Sequence, residues 1–192
     1  MHTGALLGMT QFREINIDLN KTNKKKEILI MGGGLGLISV NDDLFETLNN
    51  VKDIKTTIIT GNNKSMYDYL REKYKNIEVV GYTEEVSKYM KNADLIISKS
   101  GGITLFEAIY SEVPIYVVNP FLAQEVKNSK FIEKEKIGKV ITEKDFDIVS
   151  DILRLINNDE EIIKMKKNMK DIKSRINQNE IINVLDKFMK GA

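Results

Sequence analysis

The chain of 192 residues has no cysteine, no tryptophan, two prolines and one histidine. Without thiols there is no disulfide framework, no cysteine nucleophile and no thiolate metal centre. The lone histidine is His2, an incidental residue beside the N-terminus, so Ser-His and Cys-His catalysis and histidine-rich zinc sites fall away. No apolar run approaches the roughly 20 residues that cross a bilayer, and no basic region followed by an apolar stretch opens the chain. An excess of one charge is missing too. Twenty-nine basic side chains stand against 28 acidic ones, a balance that carries no field toward nucleic acid. Together these exclusions fit a cytoplasmic protein, peripheral to the cytoplasmic face of a membrane at most.

Hydrophobic residues make up 42% of the chain, enough for one large core. From Glu27 onward, short β-rich apolar runs alternate with stretches of helical period, the pattern of βαβ units on a parallel sheet. Strands are expected at Glu27–Met31, Thr56–Thr60, Ile77–Val80, Asp94–Ser98, Ile115–Val118 and Lys139–Thr142. Helices are expected near 39–50, 64–75, 83–91, 103–111, 122–136 and 144–156, followed by two more at 159–175 and 178–189. This is an α/β, Rossmann-like, six-stranded parallel sheet with helices on both faces. Residues 27–192 form one domain, and residues 1–26, which lack a sustained period and end in Lys24-Lys25-Lys26, read as an interdomain linker or N-terminal extension.

Ligands of a parallel sheet bind beyond the carboxyl ends of its strands. After the first strand comes Gly32-Gly33-Gly34-Leu35-Gly36, where backbone amides can approach a phosphate or sugar closely. It is not a dinucleotide fingerprint: a G-x-G-x-x-G frame meets Leu37 from Gly32 or Ser39 from Gly34, and Ile58-Ile59-Thr60-Gly61 lacks the acidic residue that holds an NAD ribose. The fourth strand runs into Ser98-Lys99-Ser100-Gly101-Gly102-Ile103-Thr104-Leu105-Phe106-Glu107-Ala108. Glycines at a helix start leave free N–H groups at the positive end of the dipole, a site for a diphosphate. Thr104 and Glu107 share a helix face at i, i+3, and an ionised carboxylate can accept bonds from both hydroxyls of a ribose. The alternative is a plain turn followed by a solvated glutamate. After the fifth strand, Gln124 and Glu125 open a helix; they suit a hexose, or are ordinary helix-start polarity.

Taken together, Lys-Ser-Gly-Gly-Ile-Thr-Leu-Phe-Glu-Ala followed by Pro-x-x-x-Gln-Glu-x-x-Asn resembles the donor motifs of the monogalactosyldiacylglycerol synthase and processive diacylglycerol glucosyltransferase family. The resemblance runs from about Glu27 to Val140. It implies one half of a GT-B glycosyltransferase, with the UDP diphosphate and ribose on Gly101, Gly102, Thr104 and Glu107 and the sugar on Gln124 and Glu125. Ile103 adds a further amide. Gly33 and Gly34 of the first loop, Gly61 and Asn63 after the second strand, Tyr82, at the uracil position after the third, and Ser100, at the head of the glycine loop, are the remaining expected donor contacts. Ser100 stands where the family has proline, which implies a looser loop that keeps its amides, and Asn62 replaces a residue that is often basic.

The expected activity is that of an inverting UDP-sugar-dependent hexosyltransferase acting on a membrane lipid such as diacylglycerol. It uses no metal or other cofactor and is inactive without an N-terminal acceptor half that supplies the base. The rivals are a non-catalytic donor-binding subunit that needs a separate acceptor-binding partner, and an unrelated α/β nucleotide-binding protein such as an oxidoreductase domain. Asp145-Phe146-Asp147 matches a D-x-D metal motif of another glycosyltransferase fold but precedes a helix, so it reads as a cap. Ile162, Met165, Met169, Ile172 and Ile176 form a stripe among lysines, which suits an anionic membrane surface or, the reading taken, the core with lysines in water. Asn41-Asp42-Asp43 reads as solvated and without function.

Overall fold

A computed structural model describes residues 25–33, 42–143 and 146–175. The expected helix at 178–189, the linker segment up to Lys24, Gly34, Ile176 and Asp145 lie outside them. Six parallel strands are present: β1 (Lys26–Met31), β2 (Ile54–Ile59), β3 (Glu78–Val80), β4 (Leu95–Ser98), β5 (Ile115–Val118) and β6 (Gly138–Ile141). Their order is β3-β2-β1-β4-β5-β6. Seven described helices join or follow them: α1 (Asp42–Asn50), α2 (Lys64–Lys73), α3 (Val86–Asn92), α4 (Gly102–Ser111), α5 (Ala123–Glu135), α6 (Ile148–Ile156) and α7 (Asp159–Arg175).

The strands are apolar at consecutive positions because both faces are covered, and their period of two sends neighbours to opposite layers. Leu29 and Met31 of β1 join Ile96 and Val117 in a layer closed by α3, α4, α5 and the end of α7. Ile28 and Ile30 join Ile58, Leu95, Ile97 and Tyr116 in the other, under α1, α2, α6 and the start of α7. The apolar stripe of α7 is therefore core: Ile162, Met165, Met169 and Ile172 are all buried. Its first half serves one layer and its second half the other.

Capping sets several helix starts. Asp147 accepts from Ser150 N at 3.0 Å and Asn63 from Met66 N at 3.0 Å, each answering one of the free amides of a first turn. Asp42 departs from the idle role expected of it. Its carboxylate accepts from Tyr69 Oη at 2.6 Å and Lys73 Nζ at 2.8 Å, tying the start of α1 to α2. The expected third helix begins later, at Val86. The strand order reverses direction between β1 and β4, which opens a crevice beyond Met31 and Ser98. Ser98 Oγ donates to the Met31 carbonyl at 2.6 Å and closes its floor.

Candidate functional site

The loops that follow β1 to β4, with the starts of α4 and α5, surround a cleft of about 640 Å³ at this crevice, a size typical of small-molecule sites. Gly33 and Gly61 stand on the strand-end side. Both have positive φ, 71° and 55°, which the tight departure of the chain from β1 and β2 requires and a side chain would oppose. Tyr82, 64% exposed, lines it as well.

Gly101 has a different reason to be glycine. Its φ is −64° with ψ 145°, which any residue adopts, and a β-carbon built there meets nothing within 4 Å. Neither backbone nor packing forbids a side chain, so the space above Gly101 is what its absence preserves. A β-carbon on Gly102 would meet Gln124 Nε2 at 3.2 Å, which sets the Gln124 amide directly beside the first turn of α4. No side chain caps that turn. Its leading amides are the groups an α-helix cannot satisfy internally, and they sit at the positive end of the dipole.

Thr104 and Glu107 both line the cleft. Thr104 is buried. Glu107 is half-buried and bonds to no described side chain, and burial alone pushes its carboxyl up to about 7, because desolvation penalises the charged form. A carboxyl group in a cleft, with a pKa raised by burial and no partner among the described residues, is poised for a ligand's hydroxyls.

Three expected site residues lie elsewhere. Glu125 is 6% exposed and does not line the cleft. Its Oε2 accepts from Phe121 N at 3.2 Å and Leu122 N at 3.3 Å, so the carboxylate staples the loop that enters α5. The Oδ1 of Asn63 is committed to capping α2, as described, and its side chain is not among the lining groups. Ser100 is fully buried beneath the glycine loop. Its hydroxyl donates to the Glu125 carbonyl at 2.8 Å, so serine in place of proline anchors the loop rather than loosening it. Conversely, Met31, Ile59, Thr83, Val86 and Phe106 line the cleft without having been singled out. For Phe106 a signal existed. Helix α4 is apolar nearly all round, and such a helix at a surface turns one apolar side to something other than the core; Ile103 and Phe106 are 57% and 47% exposed. Among the described residues no cluster of three acidic or histidine side chains could hold a metal ion.

The profile of the glycosyltransferase family 28 C-terminal domain matches residues 27–179. The processive diacylglycerol beta-glucosyltransferase of Bacillus subtilis is 29% identical over 85% of this chain and 43% of its own length. That of Bacillus cereus is 30% identical over 90% of this chain and 46% of its own. This chain thus spans less than half the length of these relatives. Among solved structures, Acinetobacter baumannii MurG superposes with a TM-score of 0.67 at 19% identity, covering 83% of this chain and 50% of that one. An S. aureus TarM variant, crystallised with fondaparinux, alpha-GlcNAc-glycerol and UDP, gives 0.63 at 22% identity over 91% of this chain and 36% of that one. Neighbours at such identities establish the fold, which is one half of GT-B. The profile match over most of its length establishes the family, and the chain belongs to the glycosyltransferase family 28 C-terminal domains.

Proposed function

We propose that the cleft binds the UDP moiety and hexose of a nucleotide sugar, for transfer to a membrane lipid such as diacylglycerol. The observation that carries this reading is the convergence of one uncapped helix start, the open glycine at 101 and the Glu107 carboxyl, without a partner among the described residues, on one cleft. The diphosphate lies on the amides of Gly101, Gly102 and Ile103 with the Thr104 hydroxyl beside it. Glu107 accepts from the ribose hydroxyls, Tyr82 meets the uracil, and Gly33 and Gly61 border the sugar side. Gln124 binds the hexose, while Glu125 supports it from behind by fixing the loop at Phe121 and Leu122.

In transfer, a base on the acceptor half takes the proton of the lipid hydroxyl as its oxygen bonds to the anomeric carbon from the face opposite UDP. The anomeric C–O bond to the diphosphate breaks, and the configuration inverts. The amides and dipole of α4 stabilise the charge that develops on departing UDP, which needs no metal. A lipid acceptor brings the enzyme to the cytoplasmic face of the membrane. Relatives named for diacylglycerol glucosylation support this acceptor class. The test is calorimetric titration of the chain with UDP in EDTA, beside an assay of transfer from UDP-glucose to diacylglycerol. Binding without metal and without turnover is expected. Binding that appears only with Mn²⁺ refutes the amide site, and robust turnover by these 192 residues refutes the need for an acceptor half.

A further inference from the structure

One turn beyond Gln124, α5 carries two more polar side chains, and they reach under the glycine loop. Asn128 Nδ2 donates to the Ser100 carbonyl at 2.7 Å. Ser129 Oγ donates to Ser100 Oγ at 3.0 Å, and that hydroxyl donates onward to the Glu125 carbonyl at 2.8 Å. Ser100 and Ser129 are 0% and 4% exposed. Away from water, a chain of satisfied hydrogen bonds holds one geometry, since breaking any link strands a buried polar group. Asn128 itself lines a neighbouring groove between α4 and α5, not the donor cleft.

A peptide unit is planar and trans, so its C=O and N–H point in opposite directions. Pulling the Ser100 carbonyl toward Asn128 therefore turns the Gly101 N–H away from Asn128, and Gly101 is the residue that opens on the cleft. We propose that Asn128 and Ser129 are positioning residues: they fix the Ser100–Gly101 peptide so that the Gly101 amide faces the donor diphosphate, and so set donor affinity without touching the donor. This rests on the donor reading above. The same pair couples the two halves of the cleft, because Gln124 sits one turn before Asn128 on the helix that clamps the loop.

The test uses the full chain with Asn128→Ala and Ser129→Ala, titrated with UDP by calorimetry, and the amide resonances and hydrogen exchange of Gly101, Gly102 and Ile103 recorded before UDP is added. The proposal expects the Gly101 amide to shift and exchange faster in Asn128→Ala, and the Kd for UDP to rise about 3- to 10-fold, the effect of one lost hydrogen bond. Ser129→Ala, a small replacement at a buried site, shows the weaker version of both changes and carries the test if Asn128→Ala does not fold. Parent-like Gly101 amides in the variants overturn the proposal. So does an unchanged Kd accompanied only by a lower melting temperature, which makes the brace purely structural. Displaced amides in a protein whose parent form binds no UDP sustain the brace and overturn the donor reading instead.

Discussion

Glu107 offers the sharpest test because its stability effect and its binding effect have opposite signs. Burial raises its carboxyl from 4.5 to about 7, so the folded chain holds that proton more tightly than the unfolded one. Stability contributed by this residue is then complete below pH 4.5 and declines as pH climbs through 7. The rise corresponds to about 3 kcal/mol at most, and to roughly 1–2 kcal/mol once the solvent that still reaches the group is allowed for. Glu107→Gln carries no charge to desolvate. It should melt like the parent at pH 4.5 and about 2–8 °C higher at pH 8. UDP affinity should move the other way. The parent gains affinity between pH 6 and 8 as the carboxylate forms, and Glu107→Ala at pH 8 loses two charge-assisted bonds, about 1.5–3 kcal/mol or roughly 10- to 150-fold. Because the terminal phosphate of UDP also titrates near pH 6, the comparison is made between parent and variant at each pH, where the ligand's own protonation cancels. Calorimetry and differential scanning fluorimetry across pH 4.5 to 8 give both readouts. If Glu107→Gln melts below the parent at pH 8 while binding UDP equally well, the carboxylate is structural and both halves of the reasoning fail.

Other perturbations separate the cleft from the scaffold. Gly101→Ala should leave the melting temperature within a few degrees, since φ is −64° and nothing lies within 4 Å of the new methyl; the Kd for UDP should rise at least about 10-fold as the methyl enters the ligand's space, and an unchanged Kd would place the diphosphate elsewhere. Asp151 is buried on the far layer, accepting from Lys139 Nζ at 2.6 Å and Tyr116 Oη at 2.8 Å. Asp151→Ala should therefore cost about 3–5 kcal/mol in urea melts by stranding those partners, with UDP binding by the folded fraction intact. Burial opposes ionisation of Asp151, but the bonds from Lys139 and Tyr116 and the charges of Lys139 and Arg154 outweigh it and lower its pKa. Its contribution is thus present above the unfolded carboxylate range and fades as pH falls below it; a parent-to-variant gap that widens in acid contradicts this.

The sheet was legible because a parallel strand buried on both faces leaves an apolar run that needs no alternation to be seen. All six runs became strands, and the errors were at ends: β2 starts at Ile54, where the lysine at 55 hides the pattern, and α3 starts at Val86, after residues whose composition still suits a helix. The stripe of α7 gave the core but not its division between layers. That division comes from the helix passing from one face of the sheet to the other, a tertiary fact that no local period encodes. Asp42 was missed for the same reason, since its partners Tyr69 and Lys73 lie on another helix.

At the cleft, residues whose contribution is backbone were placed by sequence, and residues whose contribution depends on side-chain direction were not always. Gly33 and Gly61 hold their strand ends through a positive φ, Gly101 and Gly102 open a helix start, and all four line the cleft. Gln124 and Glu125 look equivalent as neighbours at the start of α5. Consecutive residues on a helix point about 100° apart, however, and the amides of Phe121 and Leu122 draw the Glu125 carboxylate back over the helix entry. Of the two, only Gln124 lines the cleft, with its amide against Gly102. A carboxylate that is 6% exposed and turned back onto the amides of Phe121 and Leu122 does not reach the cleft, whereas the Gln124 amide that lines it can both donate and accept. On the donor reading proposed above, discrimination between hexoses should accordingly follow the reach of Gln124, and Glu125 should influence it through the position it gives that helix start.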